Sequence, residues 1–449
     1  MTLIELDRDA PLDPEAGRRP PPWRYRHAGL LVVAVLLIAL GGAAPGPAVL
    51  WRYLGAIDAK DAVSPIQLAG GRLYTVTSTG RERAVTAWEM TQPARRLWTV
   101  QVPMTRGHDP AQSIFGSIRV QRSGDLVLLS ESLATTAVDT ATGRTRWTSP
   151  VRITVAGGVG YTVGWIFRPG TAYDESSGDP GALYFSADGE AHTEPPVRTE
   201  LRGVDLATGK QLWAYAAAGA ATVDPAPGTP AALLITSSDR LTLRAVATGD
   251  VLAETELVRI DGAWPTSASV VGDVVLVEYQ EAARELVYEA RTLRRIWQRE
   301  ISPMLPDAVD CQDVLCSADG GETWVLDPAT GRPVWPVTEA DRLYRRAGYL
   351  LETDAATGAP VRLVDPRTGA SRVDLEGWAE EVGGATEDGP LLLRRGGAAG
   401  GQTFGVVLPG HPEVRLLGTA EVAPEECAAD EHHLVCRDEA GLRIWAYRI

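Results

Sequence analysis

The phrase Asp205-Leu206-Ala207-Thr208-Gly209-Lys210-Gln211-Leu212-Trp213 decides the fold, because it returns. Its pattern is Asp-x-x-Thr-Gly with Trp four residues after the glycine. It recurs as Asp139, Thr142, Gly143 and Trp147, and again as Asp327, Thr330, Gly331 and Trp335. Degenerate copies are Ala245-Val-Ala-Thr248-Gly249 and Asp365-Pro-Arg-Thr368-Gly369, and looser relatives without Thr-Gly lie at 87–98 and 290–297. Successive copies are mostly about 38 to 50 residues apart, the length of one four-stranded propeller blade.

The phrase has a mechanical logic. Asp accepts hydrogen bonds from backbone N–H groups two or three residues on and closes a tight turn. Gly supplies a positive φ that an L-residue resists. Thr adds a hydroxyl to the same turn. Trp then opens the outermost strand and buries a flat ring against the neighbouring unit. The 13 Trp against 4 Phe fit a repeated inter-unit wedge. Apolar strands such as 126–129, 233–235 and 274–277 precede the phrase in their units, and nothing after the N-terminus sustains a 3.6-residue apolar period. The expectation is all-β with few helices.

These residues resemble the tryptophan-docking repeats of the pyrroloquinoline-quinone-like β-propeller family, over about residues 47–449. The resemblance implies a ring of four-stranded blades. Eight fairly complete units fall at 64–103, 113–150, 151–218, 222–257, 266–302, 307–338, 341–376 and 379–418. A partial ninth, 424–449, lacks an outer strand, which 48–56 would supply: Leu50-Trp51-Arg52-Tyr53 resembles Leu212-Trp213-Ala214-Tyr215. Such N-to-C closure removes free sheet edges. The family usually forms seven or eight blades, so eight are expected, with seven or nine as alternatives. The third unit is longest, and 168–198 reads as an inserted loop.

The N-terminus sets the compartment. Residues 28–50 carry no charge, long enough for a membrane-spanning helix. Arg18, Arg19, Arg24 and Arg26 precede it and only Arg52 and Lys60 follow closely, so the N-terminus reads as cytoplasmic. The expected organisation is a disordered leader at 1–27, a signal-anchor helix at 28–47 and an extracytoplasmic propeller at 48–449. A cleaved signal peptide ending near Gly42-Ala43-Ala44 is the competing reading, weakened by Pro45 and the long leader. Bacterial lipidation needs a cysteine near residue 40, and the first is Cys311.

Four cysteines form two close pairs, Cys311 with Cys316 and Cys427 with Cys436. If each pair spans a hairpin with a two-residue turn, both lie opposite one another within disulfide reach. An even count in an exported domain supports two local bridges. The alternative joins Cys427 and Cys436 to His432 and His433 as a metal site, but adjacent strand residues point to opposite faces.

The net charge of −15 at pH 7 disfavours nucleic acid as a partner. The resemblance also raises a quinoprotein dehydrogenase. Such enzymes are usually longer, with an adjacent Cys–Cys pair and a Ca²⁺ site; no cysteines are adjacent here, so no cofactor-binding residue is assigned. No nucleotide loop, His-Glu-x-x-His or Gly-x-Ser-x-Gly element occurs. His27, His108, His192, His411, His432 and His433 are scattered, and the acidic pairs Asp174–Glu175, Glu380–Glu381 and Glu425–Glu426 do not alternate like a Ca²⁺ loop. The expectation has no catalytic, cofactor or metal residue. It is a membrane-anchored scaffold, monomeric or within a hetero-complex, binding a membrane or cell-envelope protein or peptide. A secreted quinone- or metal-dependent oxidoreductase is the alternative.

Overall fold

The computed structural model describes residues 51–448 apart from 80–81, 104–117, 132–133, 180, 187–189, 227, 229, 302–307, 312–313, 320–321, 338–341, 355, 381–388, 397–400 and 422–425. The leader at 1–27 and the anchor helix at 28–47 therefore lie outside the described residues. Among those described, no helix is long and apolar enough to cross a membrane.

Nine four-stranded antiparallel sheets form among the described residues. Blades 1 to 8 occupy 62–103, 119–149, 154–218, 222–256, 267–300, 308–336, 342–374 and 379–420, each in simple sequence order from inner to outer strand. Blade 9 takes three strands from 426–447 and its outer strand, Trp51–Ile57, from the other end of the chain. The ring thus has nine blades, the alternative left open beside the favoured eight. Every unit visible in the sequence is a real blade; the family's habit of seven or eight argued away the one that is completed non-locally.

The core confirms the closure. Nine apolar clusters are found among the described residues, and each is shared by two neighbouring blades. One joins Leu54, Val435 and Ile444 of blade 9 to Ile66 and Leu73 of blade 1. Second strands such as Leu126–Glu131 and Val274–Tyr279 are buried almost throughout, since both their faces meet a neighbouring sheet.

The closing strand pairs as foreseen, but its register is different. In blade 3 the residue after the outer-strand bulge is Trp213, opposite Gly203. In blade 9 that place belongs to Gly55, opposite Ile444, and Trp51 lies four residues earlier, opposite Tyr447. Trp51 instead stacks on Trp445 at 5.6 Å and Phe404 at 5.9 Å, sealing the seam between blades 8 and 9.

The insertion of blade 3 lies between its second and third strands, Val159–Ile166 and Arg198–Val204. It holds a short hairpin, Tyr184–Phe185 with Ala191–His192, and the His192 ring stacks flat on Phe167 at 3.8 Å.

Candidate functional site

The phrases that begin at Asp139, Asp205, Asp327 and Asp365 join third to fourth strands, so they share one face of the ring. In each, the Asp carboxylate gathers the turn: Oδ1 of Asp205 accepts from the Thr208 amide and the Thr208 hydroxyl, both at 2.8 Å. Asp139 and Asp327 do the same with Thr142 and Thr330. The Thr208 hydroxyl, then its amide, hold the Asp205 carboxyl below its ordinary range. At Asp139 the Arg146 guanidinium acts first and Thr142 second.

The glycines are landing pads for the preceding blade. Trp98 covers Gly143, Trp147 covers Gly209, Trp213 covers Gly249, Trp297 covers Gly331 and Trp335 covers Gly369. A Cβ on Gly209 would stand 2.8 Å from Trp147 Cγ, and φ there is +70°. Each indole N–H donates to the carbonyl of the second turn residue: Thr140 at 2.9 Å, Leu206 at 2.8 Å, Val246 at 2.7 Å, Pro328 at 2.8 Å and Pro366 at 2.8 Å. Asp139, Gly143, Trp147, Asp205, Gly209, Trp213, Asp327, Gly331 and Trp335 therefore hold blade to blade. The seam between blades 4 and 5 follows the steric logic in reverse. In blade 4 the Trp place is taken by Ala253, and in blade 5 the glycine place is taken by Leu293, buried in the same apolar cluster.

On this same face, inner hairpins converge around a cavity of about 800 Å³. Blade 3 contributes Ala156 and Gly157, blade 4 Gly228 and Ala231, blade 5 Gly272 and Asp273, blade 6 Val314 and Leu315, and blade 7 Arg345. Pro328 and Arg367 reach it from two docking turns. Small residues leave backbone open along its wall, and two arginines face one aspartate in its charge inventory. Beside the lining Pro225 sits Asp224, whose carboxyl is raised by burial; burial also raises Tyr161, with the Asp224 charge adding to it. Sequence reading assigned none of these lining residues, because inner hairpins from five blades meet only once the ring is closed.

Both disulfides form. Cys427 and Cys436 face each other across a two-residue turn, with Cα atoms 4.1 Å apart, as their spacing implied. Cys311 and Cys316 are 5.7 Å apart but are not opposite: Cys316 faces Val309, Asp310 pairs with Leu315, and the Cys311 amide donates to the Val314 carbonyl at 3.1 Å. The expected pairing of Cys311 with Cys316 was wrong there: Cys311 meets Val314 instead, and the bridge runs diagonally between the strands. The Cys427–Cys436 bond uses both thiols that a Cys/His metal site would need, and the His432 and His433 rings stand at 82° to one another. Among the described residues no three His, Cys, Asp or Glu side chains gather to hold a metal. His27, His108, Glu381 and Glu425 lie outside the described residues.

Replacing Cys427 and Cys436 together by Ala should lower the stability of the propeller by about 2–3 kcal/mol, read as a lower urea midpoint. An unchanged midpoint would show that the bridge constrains nothing the strand register has not already fixed.

A family model described as outer membrane protein assembly factor BamB matches residues 42–159 and 184–337. The chain belongs to this family. Its match covers the three full copies of the phrase, and its gap at 160–183 overlaps the blade 3 insertion. Among solved structures, BamB from Moraxella catarrhalis is 12% identical over 87% of this chain and 98% of its own, with a TM-score of 0.37. The computationally designed Ika8 protein is 14% identical over 74% of this chain and 96% of its own, with a TM-score of 0.40. Sqt1 of Saccharomyces cerevisiae is 11% identical over 88% of this chain and 99% of its own, with a TM-score of 0.40. No curated protein matches the sequence.

Proposed function

We propose that the chain is a membrane-anchored, extracytoplasmic propeller that binds a protein or peptide of the membrane or cell envelope and does no chemistry. The observation that carries this reading is the cavity of about 800 Å³ where hairpins of five blades meet. Exposed backbone at Gly157, Gly228 and Gly272 offers main-chain donors and acceptors, and Arg345, Arg367 and Asp273 add charge; both suit an extended polypeptide. The rigid frame of docked tryptophans holds these loops in place without ordering cost on binding. The two disulfides and the uncharged stretch at 28–50 support placement outside the cytoplasm.

The test is a photo-crosslinking residue at Arg367, on the cavity face, against one at Asp239, on the opposite face, in the full chain in its own membrane. Adducts to one defined protein from 367 and not from 239 are expected. Equal labelling from both positions would count against the cavity as the docking place. Stoichiometric uptake of pyrroloquinoline quinone with Ca²⁺, seen in the absorbance spectrum, would overturn the non-catalytic reading in favour of an oxidoreductase.

A further inference from the structure

Blade 7 carries the docking turn twice. One copy, with Asp354, Thr357 and Gly358, precedes its third strand Pro360–Val364; the other, Asp365 to Gly369, follows it. The turns share their central bonds. Asp354 Oδ1 accepts from the Thr357 amide at 2.8 Å and hydroxyl at 2.7 Å, and Asp365 Oδ1 from the Thr368 amide and hydroxyl, both at 3.0 Å. The glycine amides donate to the Asp carbonyls at 2.7 and 2.9 Å, and φ is +68° and +67°. Asp365 also accepts from the Arg367 amide at 3.1 Å and the Arg372 guanidinium at 2.8 Å, and the two turns differ further in what covers the glycine. A Cβ on Gly369 would stand 2.6 Å from the Trp335 ring, whereas a Cβ on Gly358 would meet nothing within 4 Å.

The two turns bracket one strand, so the uncovered copy lies on the face opposite the cavity. Thr357 and Ala359, on either side of Gly358, line a depression of about 600 Å³. Val361, Trp378 and Arg395 form more of its wall, and the Arg395 guanidinium lies 4.4 Å over the Trp378 ring.

We propose that this turn is a binding site for an indole side chain carried by a partner polypeptide, seated over Gly358 as Trp335 is seated over Gly369. Each of the five Thr-Gly turns on the cavity face receives a flat ring that no Cβ holds off, whereas glycines of similar φ outside such turns, Gly71 and Gly219 among them, are uncovered. Val361 adds an apolar edge and Arg395 a cation for a second aromatic face. The occupant belongs to a polypeptide, because each internal ring reaches its turn from a strand that fixes its approach.

The test uses the full chain in detergent and a fluorescently labelled, acetylated Gln-Leu-Trp-Ala-Tyr peptide, copied from 211–215, read by anisotropy. Saturable binding is expected, weakened at least tenfold by Trp→Ala in the peptide and by Gly358→Asn in the protein. Asn tolerates positive φ and sets its side chain over the turn. Gly358→Asn should leave the unfolding midpoint unchanged, and Gly209→Asn should lower it sharply against Trp147. Val361→Asp is the second variant and should weaken binding without touching the turn. Binding indifferent to Gly358→Asn, or absent, would overturn the site; free indole competing as well as the peptide would overturn the polypeptide assignment. Crosslinking from Arg367 on the other face is independent of all these arms.

Discussion

Removing Trp51–Ile57 is expected to abolish the cooperative unfolding transition of a chain that begins at residue 50. That strand is the outer edge of blade 9, paired from Trp51 with Tyr447 to Ile57 with Leu442. It buries Leu54 and Ile57, and Trp51 stacks on Trp445 and Phe404. Burial of each such side chain contributes about 1.5–3 kcal/mol, so the three together reach about 5–9 kcal/mol. A whole domain typically has about 5–15 kcal/mol to lose. The loss also bares the edge of Gly441–Tyr447, whose Leu442, Ile444 and Trp445 are buried in the closed ring, and an apolar edge invites association. Circular dichroism on heating, with light scattering, should show a broad, aggregating transition. Adding a peptide of residues 50–58 in trans should restore part of the sharp one by strand addition. Equal midpoints for the two chains would show that the ring holds without its closing strand.

Much of this architecture is written locally. Asp205, Thr208 and Gly209 close their turn within five residues, and Trp213 follows on the next strand, so the phrase survives inspection of the linear chain. What depends on register across long separations does not. The likeness of Leu50-Trp51-Arg52-Tyr53 to Leu212-Trp213-Ala214-Tyr215 found the closing strand yet placed Trp51 four residues from its true position, because a pleated strand looks much the same after any even shift. The bridge between Cys311 and Cys316 forms, but its register was misjudged in the same way. The Asp354 copy was visible in the sequence and passed over, since no Trp follows it. The seam between blades 9 and 1 offered no signal at all: Glu426 accepts from the Ile66 amide at 2.6 Å and Arg437 donates to the Ala62 carbonyl at 2.7 Å, across more than 350 residues. The cavity shares that origin, being made of hairpin ends that only ring closure assembles.

The same blindness hides the ion pair whose loss should cost most. Arg83, on the third strand of blade 1, meets Glu131, on the second strand of blade 2, at 3.2 Å, with 9% and 4% of their side chains exposed. Distance alone would rank Arg95 with Glu89 higher, at 2.6 Å, but those side chains are 67% and 42% exposed. Burial decides the order. Both buried charges have given up their water, so removing one takes the counter-charge from the other between two blades, a loss of about 3–5 kcal/mol. Arg83→Met should therefore lower the urea midpoint strongly, whereas Arg95→Ala, screened by solvent, should leave it in place. Arg83→Met combined with Glu131→Leu should recover most of the loss, because the desolvation cost of both charges disappears along with their attraction. If the double variant were as unstable as the single one, the site would be worth its packing and not its charge balance. If Arg83→Met and Arg95→Ala behaved alike, the seam between blades 1 and 2 would have to be open to water, and the apolar cluster of Tyr74, Val85, Val127 and Leu129 beside it would lose the dryness on which the pair depends.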